Sequence, residues 1–319
     1  MNCFKPIHIL DPDWVHYLSE HGIEPFELSP SIRRLHEISV PCGRCEACLQ
    51  SVANEWRIRI QEEFYVSQNA LFFTLTYQDD KVPILKSWNA YDEQVFVRSV
   101  CKRDIQLFLK RIREEIRKEF PHCKLRYYIC SEYGPSTFRP HYHGILFNLP
   151  CYEPNNLVSL KKSIDLLFKC WSNGFVSADK VIPERIGYVT KYLCSTSTLP
   201  PELNRKHTKP FRMMSQGLGR SYFQNASRYF WHKDGLNNYY PDGNVKCALP
   251  RYFKRKIFDD EELVKLRDKS SEYYQKNYAA VHPRDVDCFN RTGSSFNEQQ
   301  MIKFKRNFKN KYVKKRKDI

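Results

Sequence analysis

Arg139-Pro140-His141-Tyr142-His143-Gly144-Ile145-Leu146-Phe147 decides the fold. Its β-branched and aromatic content reads as an extended run. Leu125 to Glu132 reads the same way, and Tyr133-Gly134-Pro135-Ser136-Thr137-Phe138 between them supplies the turn residues of a β-hairpin with a medium loop. Side chains on a strand alternate between faces, so His141 and His143 point the same way, their α-carbons about 7 Å apart, and Tyr142 points away. An isolated His-x-His is often two ordinary residues. Here Glu132 lies on the neighbouring run, and the hairpin folds its carboxylate against the imidazoles. Two nitrogens and one oxygen make an open site suited to Mg²⁺ or Mn²⁺, with positions left for phosphate oxygens and water. The plainer alternative has Glu132 capping the turn or pairing with Arg139.

The hairpin sits inside a mixed pattern of strands and helices. Upstream, Leu49, Val52, Trp56 and Ile60 recur at helical spacing to about Glu63, and Leu71 to Tyr77 reads as a strand. Residues 81–100 look irregular. Ile105, Leu109, Ile112, Ile116 and Phe120 line one side of a long helix that Pro121 ends. Downstream come a helix from Leu157 to Trp171, a turn at Asn173-Gly174, a weak strand at Phe175, and a helix opened by Pro183. The class is α+β. Residues 1–48 read as an N-terminal arm, 49–235 as the catalytic core and 236–319 as a C-terminal extension. Residues 303–317 hold nine Lys/Arg and no acid, the pattern of a basic tail.

The helix opened by Pro183 carries Tyr188-Val189-Thr190-Lys191-Tyr192. Four residues apart, Tyr188 and Tyr192 emerge on one helical face with Lys191 beside them. A phenol with a pKa near 10 attacks phosphorus poorly until neighbouring charge is neutralised, which a metal-bound phosphate and the Lys191 ammonium can provide. Taken alone, the pair reads equally as core aromatics beside a solvated lysine. Cys42, Cys45 and Cys48 stand at x2 spacing and, with Cys3, can complete a four-thiolate structural zinc site; the alternative is a cluster of reduced thiols without metal.

Lysine and arginine number 52 against 36 acidic residues, a net charge of +16 over 319 residues, which points to a polyanionic partner. No run approaches the roughly 18 apolar residues of a spanning helix, and the N-terminal residues carry no signal-peptide pattern. The expectation is a soluble protein with reduced thiols and no membrane partner. No G-x-x-x-x-G-K-[ST] occurs, so no fused helicase motor is expected.

The order Phe72-Phe73-Thr74-Leu75-Thr76-Tyr77, then His141-Tyr142-His143, then Tyr188 to Tyr192 resembles the three motifs of HUH rolling-circle replication initiators. More closely, Cys42-Gly43-Arg44-Cys45-Glu46-Ala47-Cys48, Glu132-Tyr133-Gly134 and Phe211-Arg212-Met213-Met214-Ser215 are similar to the replication initiation proteins of Microviridae, the gokushovirus-like single-stranded-DNA phages. The resemblance covers roughly residues 3 to 220. It implies a central antiparallel sheet of the ferredoxin or RRM-like kind, with the histidine strand central and a tyrosine helix lying over the metal. It also implies His141, His143 and Glu132 as ligands, Tyr188 and Tyr192 as nucleophiles, and Lys191 as their assistant. The partner would be single-stranded or supercoiled replicative-form DNA at a phage origin, in the cytoplasm of a bacterial host, with a host helicase. Two other readings compete: a relaxase or transposase with the same site, and a non-catalytic, zinc-stapled single-stranded nucleic-acid-binding protein.

Overall fold

A computed structural model describes residue 3 and residues 5–134, 136–191, 199–293, 302 and 306. Strand β1 (Ile7–Leu10) pairs antiparallel with β2 (Glu37–Val40), and helices α1 (Pro12–Glu20) and α2 (Pro30–Leu35) lie between them in sequence. The expectation of a wrapped arm without regular structure is corrected there. These elements are short and bury little, Leu18 being the buried residue of α1, so no period shows in the sequence.

Helix α3 (Glu46–Val66) leads into β3 (Ala70–Tyr77). Strands β4 (Ile84–Trp88) and β5 (Gln94–Arg98) then form a separate antiparallel ribbon where the sequence looked irregular. Helix α4 (Lys102–Glu119), the hairpin β6 (Arg126–Tyr133) and β7 (Pro140–Phe147), α5 (Leu157–Cys170), β8 (Gly174–Lys180) and α6 (Pro183–Lys191) follow. Strand β9 (Arg212–Met214), α7 (Ser221–Gln224), α8 (Ala226–Gly235), the pair β10 (Tyr239–Asp242) and β11 (Val245–Ala248), α9 (Arg251–Ile257) and α10 (Asp260–Thr292) complete the order.

The main sheet runs β8-β3-β7-β6-β9, every neighbour antiparallel, with the histidine strand in the middle. The fold is α+β, as read from the sequence. One face carries Phe73, Leu75, Tyr77 and Tyr142 against Ile105, Phe108, Leu109 and Ile112 of α4 and Leu167 of α5. Each such aliphatic or aromatic side chain, fully buried, contributes about 1.5–3 kcal/mol. Tyr142 does point away from the histidines: its hydroxyl accepts the Cys101 N–H (2.7 Å), while the Tyr77 hydroxyl donates to Asp104 (2.6 Å). Gly144 is required where it stands, because a Cβ there would lie 2.5 Å from the Phe73 ring.

The other face is covered by α3 and α6 through Ile60, Tyr128, Ile145, Phe147, Ile186 and Val189. Two adjacent carboxylates of α3 fasten other parts of the chain. Glu63 takes the Arg126 guanidinium of β6 and the Gly219 N–H (2.8 Å). Glu62 accepts from Tyr240 (2.5 Å) and Arg228 (2.5 Å). Behind it Ile58, Tyr222, Tyr240, Phe253, Ile257 and Leu266 form a third cluster, joining α3 to the C-terminal elements.

Candidate functional site

Strand register brings the site together. Glu132 pairs with His141, and Thr76 lies opposite His141 on the other side; Cys130 and Thr74 flank His143 in the same way. Cross-strand partners share a face, so Glu132, His141 and His143 all project toward the side covered by α3 and α6. Glu132 and His143 are only 7% and 8% exposed, which strengthens any electrostatic interaction made there.

His143 Nε2 stands 3.4 Å from Glu132 Oε2, and its Nδ1 meets the Thr74 hydroxyl at 3.0 Å. His141 Nδ1 lies 2.7 Å from the Arg139 carbonyl. A carbonyl only accepts, so Nδ1 bears the proton and Nε2 keeps its lone pair, the tautomer a metal needs. Burial pulls the His141 pKa below its usual value, the Arg139 carbonyl opposing, which keeps the ring neutral at physiological pH. The two imidazoles are nearly parallel, 10° apart, with centroids separated by 6.4 Å. Glu132 does not pair with Arg139. That guanidinium instead reaches Asp79 (2.6 Å) and the Tyr77 carbonyl.

Tyr188 lies on α6 directly beside this set. Its ring meets His143 edge to face at 5.7 Å and Phe72 at 6.2 Å. Helix α6 is held by several contacts around it. The buried Cys130 thiol, in register with His143, lies 3.3 Å from the Val189 carbonyl, and burial raises its pKa, so it stays a thiol. At the first turn Arg185 pairs with Asp179 of β8 and donates to the Lys180 carbonyl (2.7 Å). Lys191 closes α6, three residues after Tyr188. Tyr192 lies outside the described residues.

The four cysteines singled out in the sequence converge. All four sulfurs lie within 4.8 Å of one another, with Cys3 and Cys45 at 3.7 Å and Cys42 and Cys48 at 4.0 Å. Four thiolates about 2.3 Å from a tetrahedral centre stand about 3.8 Å apart, so the spacing fits a metal ion. Backbone N–H groups of Arg44 (3.4 Å) and Cys45 (3.3 Å) point at Cys42 Sγ and hold that thiol down to about 6. Gly43, at φ +71°, makes the turn that aims them. Cys45 caps α3, so a metal here would tie the N-terminal segment to the helix over the histidines. Among the described residues this is the one such cluster whose ligand atoms are so closely gathered.

One residue of this face escaped the sequence reading. Arg212 of β9 is in register with Cys130, hence in the same cross-sheet row as His143. It is exposed, and its guanidinium lies 5.7 Å from the Trp56 ring of α3, whose ring also carries Arg59 at 4.1 Å. Its neighbours in sequence carried the family resemblance, but three residues are too few to announce a strand.

With this geometry in view, comparison with known proteins upholds the resemblance. Residues 70–197 match the family model of the replication-associated protein ORF2, from the first residue of β3 past the end of α6. The chain is 25% identical over 231 residues to the replication-associated protein ORF2 of Spiroplasma virus 4, covering 69% of this chain and 68% of that one. It is 27% identical over 171 residues to the replication-associated protein VP4 of Bdellovibrio phage phiMH2K (50% and 49%), and 25% over 264 residues to the replication-associated protein ORF4 of Chlamydia phage 1 (77% and 58%). The chain thus spans between half and about two thirds of these relatives. No solved structure matches. Among the described residues no helix is long and apolar enough to cross a membrane.

Proposed function

We propose that this chain initiates phage rolling-circle replication by nicking single-stranded DNA at the origin through a covalent tyrosine link and later rejoining it. The observation that carries the reading is the edge contact of Tyr188 with His143, 5.7 Å between ring centroids, beside Glu132 at 3.4 Å. A phenol, two imidazoles and a carboxylate on one covered sheet face are the groups such a reaction requires. The replication-associated relatives support the coarser statement, a role in phage replication initiation.

In this reading His141 Nε2, His143 Nε2 and Glu132 hold Mg²⁺ or Mn²⁺. When bound, the cation supplies Lewis-acid polarisation of the scissile phosphate. The Arg139 carbonyl and the Thr74 hydroxyl fix both rings, so the ligands need no reorganisation. Tyr188 Oη attacks phosphorus and loses its proton, the P–O3′ bond breaks, and the released 3′ oxygen takes up a proton. The 5′ phosphate stays on the tyrosine, conserving bond energy, so rejoining by a 3′ hydroxyl needs no ATP. Tyr192 is the second nucleophile of this scheme, and Lys191, three residues from Tyr188 on the helix, neutralises phosphate charge. Zinc in the Cys3, Cys42, Cys45, Cys48 quartet would be structural.

The same reading divides the chain into an arm (1–48), an endonuclease core (49–235) and a C-terminal extension (236–319), acting in the host cytoplasm with a host helicase. Single-stranded oligonucleotides tiling the genome that encodes the chain, incubated with protein and Mn²⁺, are expected to give a denaturation-resistant protein–DNA adduct. No adduct under any metal or sequence would leave a DNA-binding module in its place.

A further inference from the structure

The β4–β5 ribbon has no part in the site, and its construction is unusual. Side chains alternate strictly: Leu85, Ser87, Val95 and Val97 face the protein, while Ile84, Lys86, Trp88, Gln94, Phe96 and Arg98 face outward. The inner face is tied down. The Ser87 hydroxyl donates to the Glu202 carbonyl (2.6 Å), His207 Nε2 donates to the Lys86 carbonyl (2.8 Å), and Arg205 donates to the Asn89 carbonyl (3.2 Å). Val97 packs on the main core.

The outer face is therefore rigid, and it leaves large apolar groups in water: Ile84 is 63% exposed, Trp88 43% and Phe96 65%. A solvated ribbon face is ordinarily polar. The charges there are of one sign. Lys86 lies 5.9 Å over the Phe96 ring, Arg98 is cross-strand from Ile84, and the face bears no carboxylate. Neither cation has an ion-pair partner among the described residues. The ribbon is rooted at the end of the sheet where the candidate site lies. It follows Tyr77, one residue past the partner of His141, and it leads to Val100, whose N–H donates to the hydroxyl of Tyr133 (3.2 Å), the residue after Glu132.

We propose that this face binds a single strand of DNA outside the nicking site, with unstacked bases on Trp88 and Phe96 and phosphates on Lys86 and Arg98. Flat rings interleaved with cations suit single-stranded nucleic acid, because every base offers a π-face and every linkage a negative charge. A duplex hides its base faces and would leave the three apolar side chains without contact. The proposal rests on the reading of the chain as a DNA-acting protein and adds a separate binding surface to it.

The test uses fluorescence anisotropy with a labelled oligo(dT) strand and a duplex of equal length, on the full chain. Stacking on one ring contributes roughly fivefold to a hundredfold in affinity, so Trp88→Ala with Phe96→Ala is expected to weaken single-strand binding at least about tenfold, with duplex binding unchanged. Lys86→Ala with Arg98→Ala should lower the salt slope by about 1.4. The rate of adduct formation at saturating oligonucleotide should stay at the parent value. Should the alanine variant fold poorly, Trp88→Leu with Phe96→Leu keeps apolar bulk while removing the π-faces and is expected to show the same loss.

Single-strand affinity within twofold of the parent in both ring variants would overturn the proposal. So would equal losses for strand and duplex, or loss of self-association in sedimentation on removing the rings, which would make the face a contact between copies. Ring-dependent binding by a chain that never forms an adduct would remove the nicking reading and leave this one intact.

Discussion

Replacing Tyr188 by phenylalanine and by alanine separates its two roles. The ring makes edge contacts with His143 at 5.7 Å and Phe72 at 6.2 Å, and it packs on the cluster formed by Ile145, Ile186 and Val189. Each aromatic contact is worth about 0.5–1.5 kcal/mol beyond burial, so the pair contributes about 1–3 kcal/mol. Tyr188→Phe keeps both contacts and is expected to cost less than about 1 kcal/mol of stability. Tyr188→Ala loses them along with part of the ring's burial, about 2–4 kcal/mol in all. Chemistry ranks the variants differently. Neither has a hydroxyl at 188, so both should lose every adduct that maps to the peptide containing that residue, while Tyr188→Phe melts near the parent temperature. Gel detection of the adduct, mass mapping of the modified peptide and thermal unfolding followed by circular dichroism supply the readouts. A Tyr188→Phe protein that nicks and rejoins at the parent rate with its adduct elsewhere would refute the assignment of Tyr188 as a nucleophile.

Three further outcomes are expected. His141→Ala should reduce cleavage by about a hundredfold or more, since a Lewis acid supplies several kcal/mol at the transition state, while DNA affinity in anisotropy stays within about threefold because spread surface charge carries it. Purified protein should hold about one equivalent of zinc by elemental analysis, lost in Cys45→Ser together with some thermal stability; a metal-free, equally stable parent would contradict a structural site. His232 is fully buried, its Nδ1 donating to the Asn237 carbonyl (2.5 Å) and its Nε2 2.8 Å from the Tyr222 hydroxyl, and burial lowers its pKa from the usual 6.5. The neutral ring is thus the folded form, so its contribution is fully present above pH 6.5 and is lost as pH falls through the depressed value. Unfolding midpoints should drop below that pH in the parent, and His232→Gln should flatten the drop.

The sequence was most legible where structure imposes a short period. Strands β3, β6 and β7 are central, their apolar and site residues alternate, and the face of His141 and His143 follows from counting by two. Helix α4 announced itself by five buried side chains three and four apart. The β4–β5 ribbon stayed hidden because its exposed face carries Ile84, Trp88 and Phe96, which cancel the contrast between inside and outside that marks a strand. The convergence of Cys3 on Cys45 spans 42 residues, a closure that spacing suggests but only the pairing of β1 with β2 brings about. Arg212 was invisible for another reason: a lone arginine in a three-residue strand gains meaning only from its register with Cys130.

The in-register meeting of Glu132 and His141 across the β6–β7 hairpin constrains how this chain can change in length. One residue added to β7 ahead of His141 would turn both imidazoles toward α4, drive Tyr142 out of its core socket, and slide the carboxylate off its partner. A residue added between Gly134 and Arg139 disturbs only the connection. Insertions and deletions among descendants of this sequence should therefore collect in that loop, and the distance in sequence from carboxylate to histidines can drift while their opposition across the ladder cannot.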